Sequence, residues 1–311
     1  GIRNIVALAV CSCPLSNDRD VDRPGSMMQE RLVSVVLPAY GMGRYIGAAL
    51  DSIAAQTYTD WEVVVVDDLG PEDGTHAIVE AFIARVGAEK ARLVSHKVNQ
   101  GVSAARNTGT AAARGEFVAF LDPDDDWFPD HLQSLMALFQ QDPGTDVATA
   151  PVVAFYDGPD APPTKIQEIT GWHVENFPRT LGLHNFIQPS ATVLRRSAVQ
   201  RVGGFDTTPA IQHIEDYDLW IRLVEQGSRF AFLDRPTSRY RKHDGGATND
   251  TQRMRLLHDH LYAKHANFFR TSQSVLLISM MGRMSRMRQE IGQVNIELNG
   301  PVLRIVRALD R

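Results

Sequence analysis

The sequence predicts an α/β fold: a doubly wound, mainly parallel sheet of the Rossmann-like type, followed by a C-terminal helical extension. Strand-like and helix-like segments alternate, with short loops, over about ninety residues from position 32 onward, which is typical of βαβ units. The four valines at 63–66 suit a strand that helices cover on both faces. Together these patterns favour parallel strands sandwiched between two layers of helices.

Each element of the pattern has its own local signal. Segments rich in β-branched and apolar residues predict strands at 32–37, 61–66, 92–95 and 117–121. Apolar residues at helical spacing predict helices at 43–56, 75–86, 102–113 and 129–139. The rhythm then loosens around a proline-rich loop at 157–163, with strands predicted at 147–155, 191–194 and 230–233, a helix at 216–225, and helical sequence beyond 246.

The chain divides into three predicted regions. Residues 1–26 precede the first well-formed strand and are expected to be a disordered tail or an upstream extension. Residues 27–246 carry the alternating pattern and form the main domain, and residues 247–311 form the C-terminal helical region. Within the last region, residues 280–288 mix methionine with arginine. An amphipathic helix packed on the domain, or a homodimer contact, explains this more simply than peripheral contact with a membrane surface.

Charge and cysteine content limit the classes of partner and compartment. The net charge of -5 offers no broad basic surface, so we expect no nucleic-acid partner. Only Cys11 and Cys13 are present, which excludes a disulfide framework and favours a reducing, cytoplasmic compartment. No apolar run approaches the roughly 18 residues that span a bilayer. We therefore expect a soluble protein, or one peripheral at the inner face of the membrane.

Four carboxylates occupy five positions directly after the strand at 117–121. They would repel one another without a positive partner, and the carboxyl end of a strand is where open α/β sheets bind ligands. A hard divalent cation suits such a cluster, and Mg²⁺ commonly uses one or two protein carboxylates. An acidic first turn before the helix at 129–139 would explain Asp126 or Asp130, but not four acids in five positions. The acids are Asp122, Asp124, Asp125 and Asp126.

Two other strand or loop ends carry candidate binding groups. Asp67 and Asp68 close the strand at 61–66, where a carboxylate could accept hydrogen bonds from a nucleobase or ribose; a turn-forming pair explains them equally well. Arg106 places one fixed cation on a helix of small residues, which can approach a phosphate or base closely.

The second half of the domain contributes an acidic pair and a histidine. Glu215 and Asp216 stand where a helix begins, and a carboxylate fixed there can act as a general base, although N-capping is the simpler interpretation. His243 could complete a metal shell or contact a diphosphate, although a lone histidine is usually a surface residue.

A glycine-rich turn offers a different interpretation. Gly41, Gly43 and Gly47 follow a strand and open a helix, as a dinucleotide-binding fingerprint does. The third glycine stands one place late, however, and a nicotinamide enzyme would leave the acidic cluster without a role.

Taken in order, these segments resemble the family 2 glycosyltransferases with the GT-A fold, over about residues 32–246. Gly41 departs from the Asn common in that family, and Leu69-Gly70 departs from its usual small-then-Ser pair. The matching motifs are Pro38-Ala39-Tyr40, Asp67-Asp68 with Asp73-Gly74-Thr75, Asn99-x-Gly101 with Ala105-Arg106-Asn107-x-Gly109, Asp122-x-Asp124-Asp125, Gly203-Gly204-Phe205-Asp206 and Glu215-Asp216-x-Asp218-Leu219-Trp220.

The resemblance implies metal-dependent, inverting transfer of a sugar from a nucleotide-sugar donor, a UDP-sugar above all, to an acceptor hydroxyl in polysaccharide or glycoconjugate biosynthesis. Residues 27–126 would bind the nucleotide, and residues 127–246 would bind a glycan, lipid-linked or small-molecule acceptor. Asp216 would be the general base, and Asp124 with His243 would hold Mn²⁺ or Mg²⁺. The implied donor contacts are Pro38, Ala39, Tyr40, Asp67, Asp68, Arg106, Asp122 and Glu215.

Two other functions remain open from the sequence. A sugar-nucleotide nucleotidyltransferase would need a basic, glycine-rich phosphate loop after the first strand, where residues 38–44 offer only Arg44. A non-catalytic nucleotide-binding protein would have no need of both Asp124 and Asp216.

Overall fold

A computed structural model of the chain describes residues 7–9, 31–156, 164–243 and 251–274. Its helices and strands alternate as the sequence predicts, and the central sheet is mainly parallel, which confirms the α/β fold class. Residues 280–288, for which membrane or dimer contact was weighed, lie outside the described ranges. Within those ranges no helix has both the length and the apolar character needed to cross a membrane.

The elements run in chain order as follows: β1 Ala7–Ala9, β2 Val33–Ala39, α1 Ile46–Ala54, β3 Trp61–Asp67, α2 Thr75–Val86, β4 Ala91–Ser95, α3 Val102–Ala112, β5 Phe117–Phe120, β6 Asp126–Trp127, α4 His131–Gln141, β7 Val147–Thr149, β8 Val152–Tyr156, β9 Lys165–Gln167, α5 Gly171–Glu175, β10 Thr192–Arg195, α6 Arg196–Arg201, α7 Glu215–Glu225, β11 Phe230–Phe232, β12 Ser238–Lys242 and α8 Thr251–Lys264. Residues 266–274 are also helical.

Eight strands form the central sheet in the order β1-β11-β7-β10-β5-β2-β3-β4. The half from β5 to β4 is parallel throughout, as the βαβ pattern requires. β10 runs antiparallel between β5 and β7, so the sheet is mixed in its second half. A separate sheet in the order β6-β12-β8-β9 lies beside it, and its β6 strand begins with Asp126 of the acidic cluster.

Apolar layers cover both faces of the central sheet. Alternate residues of β2 face opposite layers, because successive side chains in a strand point to opposite sides. Val35 and Leu37 pack with α1, α2 and α4, whereas Val36 packs in the layer that contains α7 and α8. α3 lies close against β2: a Cβ added at Gly109 would come within 2.3 Å of Val36 Cγ1.

The strand predicted at 147–155 is wrong as a single element. It divides into β7 of the central sheet and β8 of the second sheet. Pro151 stands between them, and since proline has no amide hydrogen to donate, a continuous central strand is unfavourable there.

Part of the region predicted as a disordered tail or an upstream extension, residues 1–26, pairs with the central sheet. Residues Ala7–Ala9 form an edge strand that pairs antiparallel with β11. Short apolar segments can add to an open sheet edge wherever unpaired backbone groups are exposed.

Candidate active site

The carboxyl ends of three neighbouring parallel strands meet at one edge of the central sheet. Pro38 and Ala39 end β2, Asp67 ends β3, and Asp122 follows β5 by two residues. The structure thus brings these predicted site residues to the edge where doubly wound sheets bind ligands.

The four acids of the cluster have different surroundings. Asp122 is 27% exposed, and its amide donates to Ser190 Oγ. Asp124 Oδ2 lies 3.0 Å from His243 Nε2. Asp125 is buried and accepts the amide of Arg241, and Asp126 pairs with Arg239 Nε inside the second sheet. Only Asp122 and Asp124 therefore remain suited to a ligand.

Burial and mutual repulsion raise the pKa values of two acids in the cluster. Burial and the neighbouring charge of Asp122 raise the pKa of Asp124, against the effect of its bond to His243. Burial, Asp124 and Asp122 raise the pKa of Asp125 well above its usual range. A bound cation would relieve this repulsion, because it stabilises the ionised carboxylates.

Arg106 links the acidic cluster to the acidic pair of α7. Its Nη2 donates to Asp122 Oδ1 and its Nη1 to Glu215 Oε1, both at 2.6 Å. Burial acts to lower the pKa of Arg106, but the charges of Asp122 and Glu215 outweigh burial and raise it. The side chain is 4% exposed and both terminal nitrogens are occupied, so a direct contact with a donor stays a prediction. In this structure Arg106 holds the two carboxylates in place.

Asp216, the predicted base, stands in the first turn of α7. Its Oδ2 accepts Asn185 Nδ2 at 2.8 Å, and its Oδ1 accepts the amide of Tyr217 at 2.7 Å. Burial, followed by the charge of Glu215, raises the pKa of Asp216 to about 7, although Arg106 acts in the opposite direction. A carboxylate that exchanges its proton near neutral pH is suited to general-base catalysis.

The two carboxylates at the carboxyl end of β3, Asp67 and Asp68, have different surroundings. Asp67 accepts the amide of Gly70 and lies 2.9 Å from Nε2 of the partly exposed His76. Asp68 is buried, and it accepts the amides of Gln100 and Gly101 while its Oδ1 also lies 2.7 Å from His96 Nδ1. Its oxygens shape the loop before α3, so the structure favours a supporting role for Asp68, and its donor contact stays a prediction.

Aromatic side chains line the site near β2. Tyr40 is 54% exposed directly after the strand, which leaves a ring face open for stacking. The Tyr45 ring centroid lies 5.3 Å from that of His243, and the guanidinium carbons of Arg44 and Arg241 lie 5.1 and 5.0 Å from the Tyr45 centroid. Sequence reasoning missed Tyr45, and its only signal was a tyrosine near the start of the first helix.

Asn185 is the other functional residue that sequence reasoning missed. It lies in an irregular stretch without a periodic pattern, 31 positions before its partner Asp216. No local signal could have linked the two.

The side chains of this site suit a metal ion that would be held jointly by the protein and a bound diphosphate. Within the described ranges, no cluster of three or more His, Cys, Asp or Glu side chains is arranged to bind a metal. Asp124 and His243 nevertheless converge, and Mg²⁺ or Mn²⁺ on a diphosphate typically takes one or two protein ligands, with phosphate and water oxygens completing the shell. The residues present fit such a shared site.

Comparison with known proteins identifies the family to which this chain belongs. The sequence model of the family described as "Glycosyl transferase family 2" matches residues 34–203, more than half of the chain. Among curated proteins, the amylovoran biosynthesis glycosyltransferase AmsB of Erwinia amylovora is 31% identical over 217 residues, covering 68% of this chain and 70% of that protein.

Solved structures share the fold at lower identity. S. aureus TarS 1-349 in complex with UDP-GlcNAc superposes with a TM-score of 0.56 at 22% identity, covering 72% of this chain and 65% of that one. The mannosyltransferase PcManGT of Pyrobaculum calidifontis, in complex with GDP-Man and Mn²⁺, superposes with a TM-score of 0.55 at 18% identity, covering 86% and 81%. The chain is a glycosyltransferase and belongs to glycosyl transferase family 2.

Proposed function

We propose that this enzyme transfers a sugar from a nucleotide-diphosphate sugar, a UDP-sugar in the first place, to an acceptor hydroxyl, with inversion and with a divalent metal, in polysaccharide or glycoconjugate biosynthesis. One observation supports the proposal: Arg106 pairs with both Asp122 and Glu215, and so connects the acidic cluster, where Asp124 lies beside His243, to the helix turn that carries Asp216 with its raised pKa. Leaving-group stabilisation and proton removal are the two demands of this reaction.

The donor would lie across the carboxyl ends of β2, β3 and β5. Tyr40 would stack on the base, Asp67 would accept a hydrogen bond from it, and Asp122 would accept one from the ribose. Pro38 and Ala39 would bring backbone close to the nucleotide. The UDP-GlcNAc bound by TarS and the GDP-Man bound by PcManGT support a nucleotide-sugar donor in this fold.

The diphosphate would approach Asp124 and His243. A cation held there, Mn²⁺ or Mg²⁺, would supply Lewis-acid stabilisation of the charge that develops on the leaving diphosphate. Arg241 fixes this corner, because its Nε donates to the backbone oxygen of Asp124 at 2.8 Å and its amide donates to Asp125.

Asp216 would accept the proton of the attacking hydroxyl. Its two recorded hydrogen bonds leave lone pairs available, since an ionised carboxylate offers about four acceptor positions. The acceptor oxygen forms a bond to the anomeric carbon while the bond from that carbon to the diphosphate oxygen breaks, and the proton passes to Asp216. Attack opposite the leaving group inverts the anomeric centre in one displacement, without a covalent intermediate.

Two variants test the proposal by different measurements. Asp216→Asn should abolish transfer while preserving stabilisation by UDP with Mn²⁺ in thermal unfolding, because the base does not hold the nucleotide. Asp124→Ala should lose the metal-dependent part of that stabilisation. Undiminished transfer in Asp216→Asn would refute the assignment of Asp216 as the base. Release of pyrophosphate from UTP and a sugar 1-phosphate would instead indicate a nucleotidyltransferase. Nucleotide binding without turnover over a panel of UDP, GDP and TDP sugars would indicate a non-catalytic protein.

A further inference from the structure

The carboxylate of Asp67 is held by a hydrogen bond on each of its two oxygens. Its Oδ1 accepts the amide of Gly70 at 3.1 Å, and its Oδ2 lies 2.9 Å from His76 Nε2. An ionised carboxylate only accepts hydrogen bonds, so Nε2 carries the hydrogen of the second bond. Because the two bonds restrain both oxygens, the carboxylate keeps one orientation and its remaining lone pairs keep one direction.

The first of these bonds places Asp67 in the same corner as the exposed ring of Tyr40. Gly70 lies against the end of β2: a Cβ added to it would come within 2.7 Å of Gly41 N and 3.3 Å of Tyr40 Cα. Ala39, the residue before Tyr40, is also the register partner of Asp67. A planar nucleobase that stacks on the Tyr40 ring could therefore meet the Asp67 carboxylate with its edge.

The second bond comes from the first turn of α2, which is fixed by contacts of its own. His76 follows Thr75, whose amide and hydroxyl both donate to Asp73 Oδ1. Asp73 Oδ2 accepts the amide of Gly43 at 2.7 Å, so the start of α2 is bonded to the turn after β2. The backbone of His76 is thus anchored independently of the bond between its ring and Asp67.

His76 differs in its surroundings from the histidine that bonds the neighbouring carboxylate. His96, the partner of Asp68, is 7% exposed and belongs to the interior, whereas the His76 side chain is 55% exposed. An exposed ion pair usually contributes little to stability. The hydrogen bond to Asp67 nevertheless raises the pKa of His76, and it outweighs the opposite effect of burial. An exposed ring bonded to a buried carboxylate at the ligand-binding edge suits a role in binding better than a role in folding.

A carboxylate held in one orientation discriminates between nucleobases by their hydrogen-bonding edge. It offers acceptors and no donor, so it binds a ring N–H and not a ring nitrogen with a lone pair. Uracil presents an N–H at N3, whereas N3 of cytosine is itself an acceptor and would leave both groups without a partner.

From this arrangement we infer that His76 is a positioning residue for the donor: through its bond to Asp67 it directs the carboxylate at the N3–H of uracil, and so makes the enzyme prefer uracil nucleotides to cytosine nucleotides. His76 acts through Asp67 and does not itself contact the nucleobase. This inference rests on the proposed function, because it takes Asp67 as the residue that accepts a hydrogen bond from the nucleobase.

Calorimetric titration of the full chain with UDP and with CDP, both in the presence of Mn²⁺, tests this role. The diphosphate and the metal are common to the two ligands, so the ratio of the two dissociation constants reports on the nucleobase alone. Wild type should bind UDP at least about tenfold more tightly than CDP, and His76→Ala should reduce this ratio about fivefold by weakening UDP binding alone. At saturating donor kcat should stay unchanged, because the nucleobase takes no part in the reaction.

Two further variants separate positioning from a structural role. His76→Gln retains an N–H donor at a similar reach and should restore most of the preference for UDP. Glu80→Gln changes an exposed residue one turn further along α2 and should leave the ratio as it is in wild type. An unchanged ratio in His76→Ala, equal weakening of UDP and CDP, or no recovery in His76→Gln would overturn the inference.

Titration of the wild type separates this inference from the proposed function. A wild type that does not prefer UDP to CDP, or that binds GDP alone, would overturn the role of His76 while transfer from a nucleotide sugar stands. Absence of binding to UDP, CDP and GDP would instead overturn the proposed function.

Discussion

Replacing Glu215 with glutamine is expected to move the acid limb of glycosyl transfer to lower pH. Burial raises the pKa of Asp216 to about 7, and the charge of Glu215 is the next cause of that rise. Glu215→Gln removes this charge and preserves the size of the side chain. The pKa of Asp216 should therefore fall, and more of the base should be ionised in mildly acidic solution.

The expected change in rate with pH follows from the ionised fraction of the Asp216 carboxylate. With a pKa of about 7, roughly one tenth of Asp216 is ionised at about pH 6 and roughly nine tenths at about pH 8, so the rate should rise about tenfold over that interval. A fall of about one unit on losing an adjacent like charge would leave about half ionised at about pH 6, and the rise would shrink to about twofold.

The measurement is kcat/KM for UDP release as a function of pH. The donor is the one that the panel of UDP, GDP and TDP sugars identifies. Glutamine can replace only one of the two oxygens that accept Arg106 and the His213 amide, so thermal unfolding of the variant must be followed in parallel. Glu225→Gln removes the same charge at the other end of α7 and serves as the matched control. An acid limb that stays in place in a folded Glu215→Gln variant would refute the assignment of that limb to Asp216.

Three further outcomes are expected. His243→Ala should weaken the apparent affinity for Mn²⁺ in the presence of UDP at least about tenfold in a thermal-shift titration, because one of the two proposed metal ligands is lost. His260→Ala, at an exposed position on α8, is the control. An equal effect of both variants would contradict the proposed role of His243 as a metal ligand. Gly109→Ala should lower the free energy of unfolding, measured in urea, by about 1–3 kcal/mol, because the added Cβ would lie 2.3 Å from Val36 Cγ1. Gly171→Ala is the control: its Cβ would meet nothing within 4 Å, so the free energy of unfolding should change by less than about 0.5 kcal/mol. Similar losses of stability in the two variants would refute the close approach of α3 to β2. His265→Ala should lower the free energy of unfolding in urea by about 2 kcal/mol, because buried Asp218 loses the hydrogen bond from His265 Nε2 at 2.8 Å. A change below about 0.5 kcal/mol would show that Lys264 and Arg222 are enough to stabilise the Asp218 carboxylate.

The parallel half of the sheet was predictable because its signals are local. The apolar runs of β2, β3 and β5 and the helical spacing between them are read within short windows of sequence. One helix bound differs from its prediction: α1 begins at Ile46 rather than 43. Residues 43–45 form a turn instead, in which the amide of Gly43 is bonded to Asp73 Oδ2 at 2.7 Å.

The second sheet escaped prediction because its pairings are distant. β6 pairs Trp127 with Ser238, more than a hundred residues away, and β12 pairs in turn with β8. Such short strands carry almost no periodicity of their own, and their partners are chosen only when the whole chain is folded.

The sequence by itself determined the chemistry that this protein carries: the acids after β5, the acid pair of α7, and the order of motifs that identified the family, since these depend on residue types and spacing. The tertiary structure alone decided how the acids divide their roles. Arg106 meets Asp122 and Glu215, His243 meets Asp124, and Asn185 meets Asp216. Each of these pairs joins separate segments, and burial, which no local pattern reveals, strengthens them and raises the pKa of Asp216.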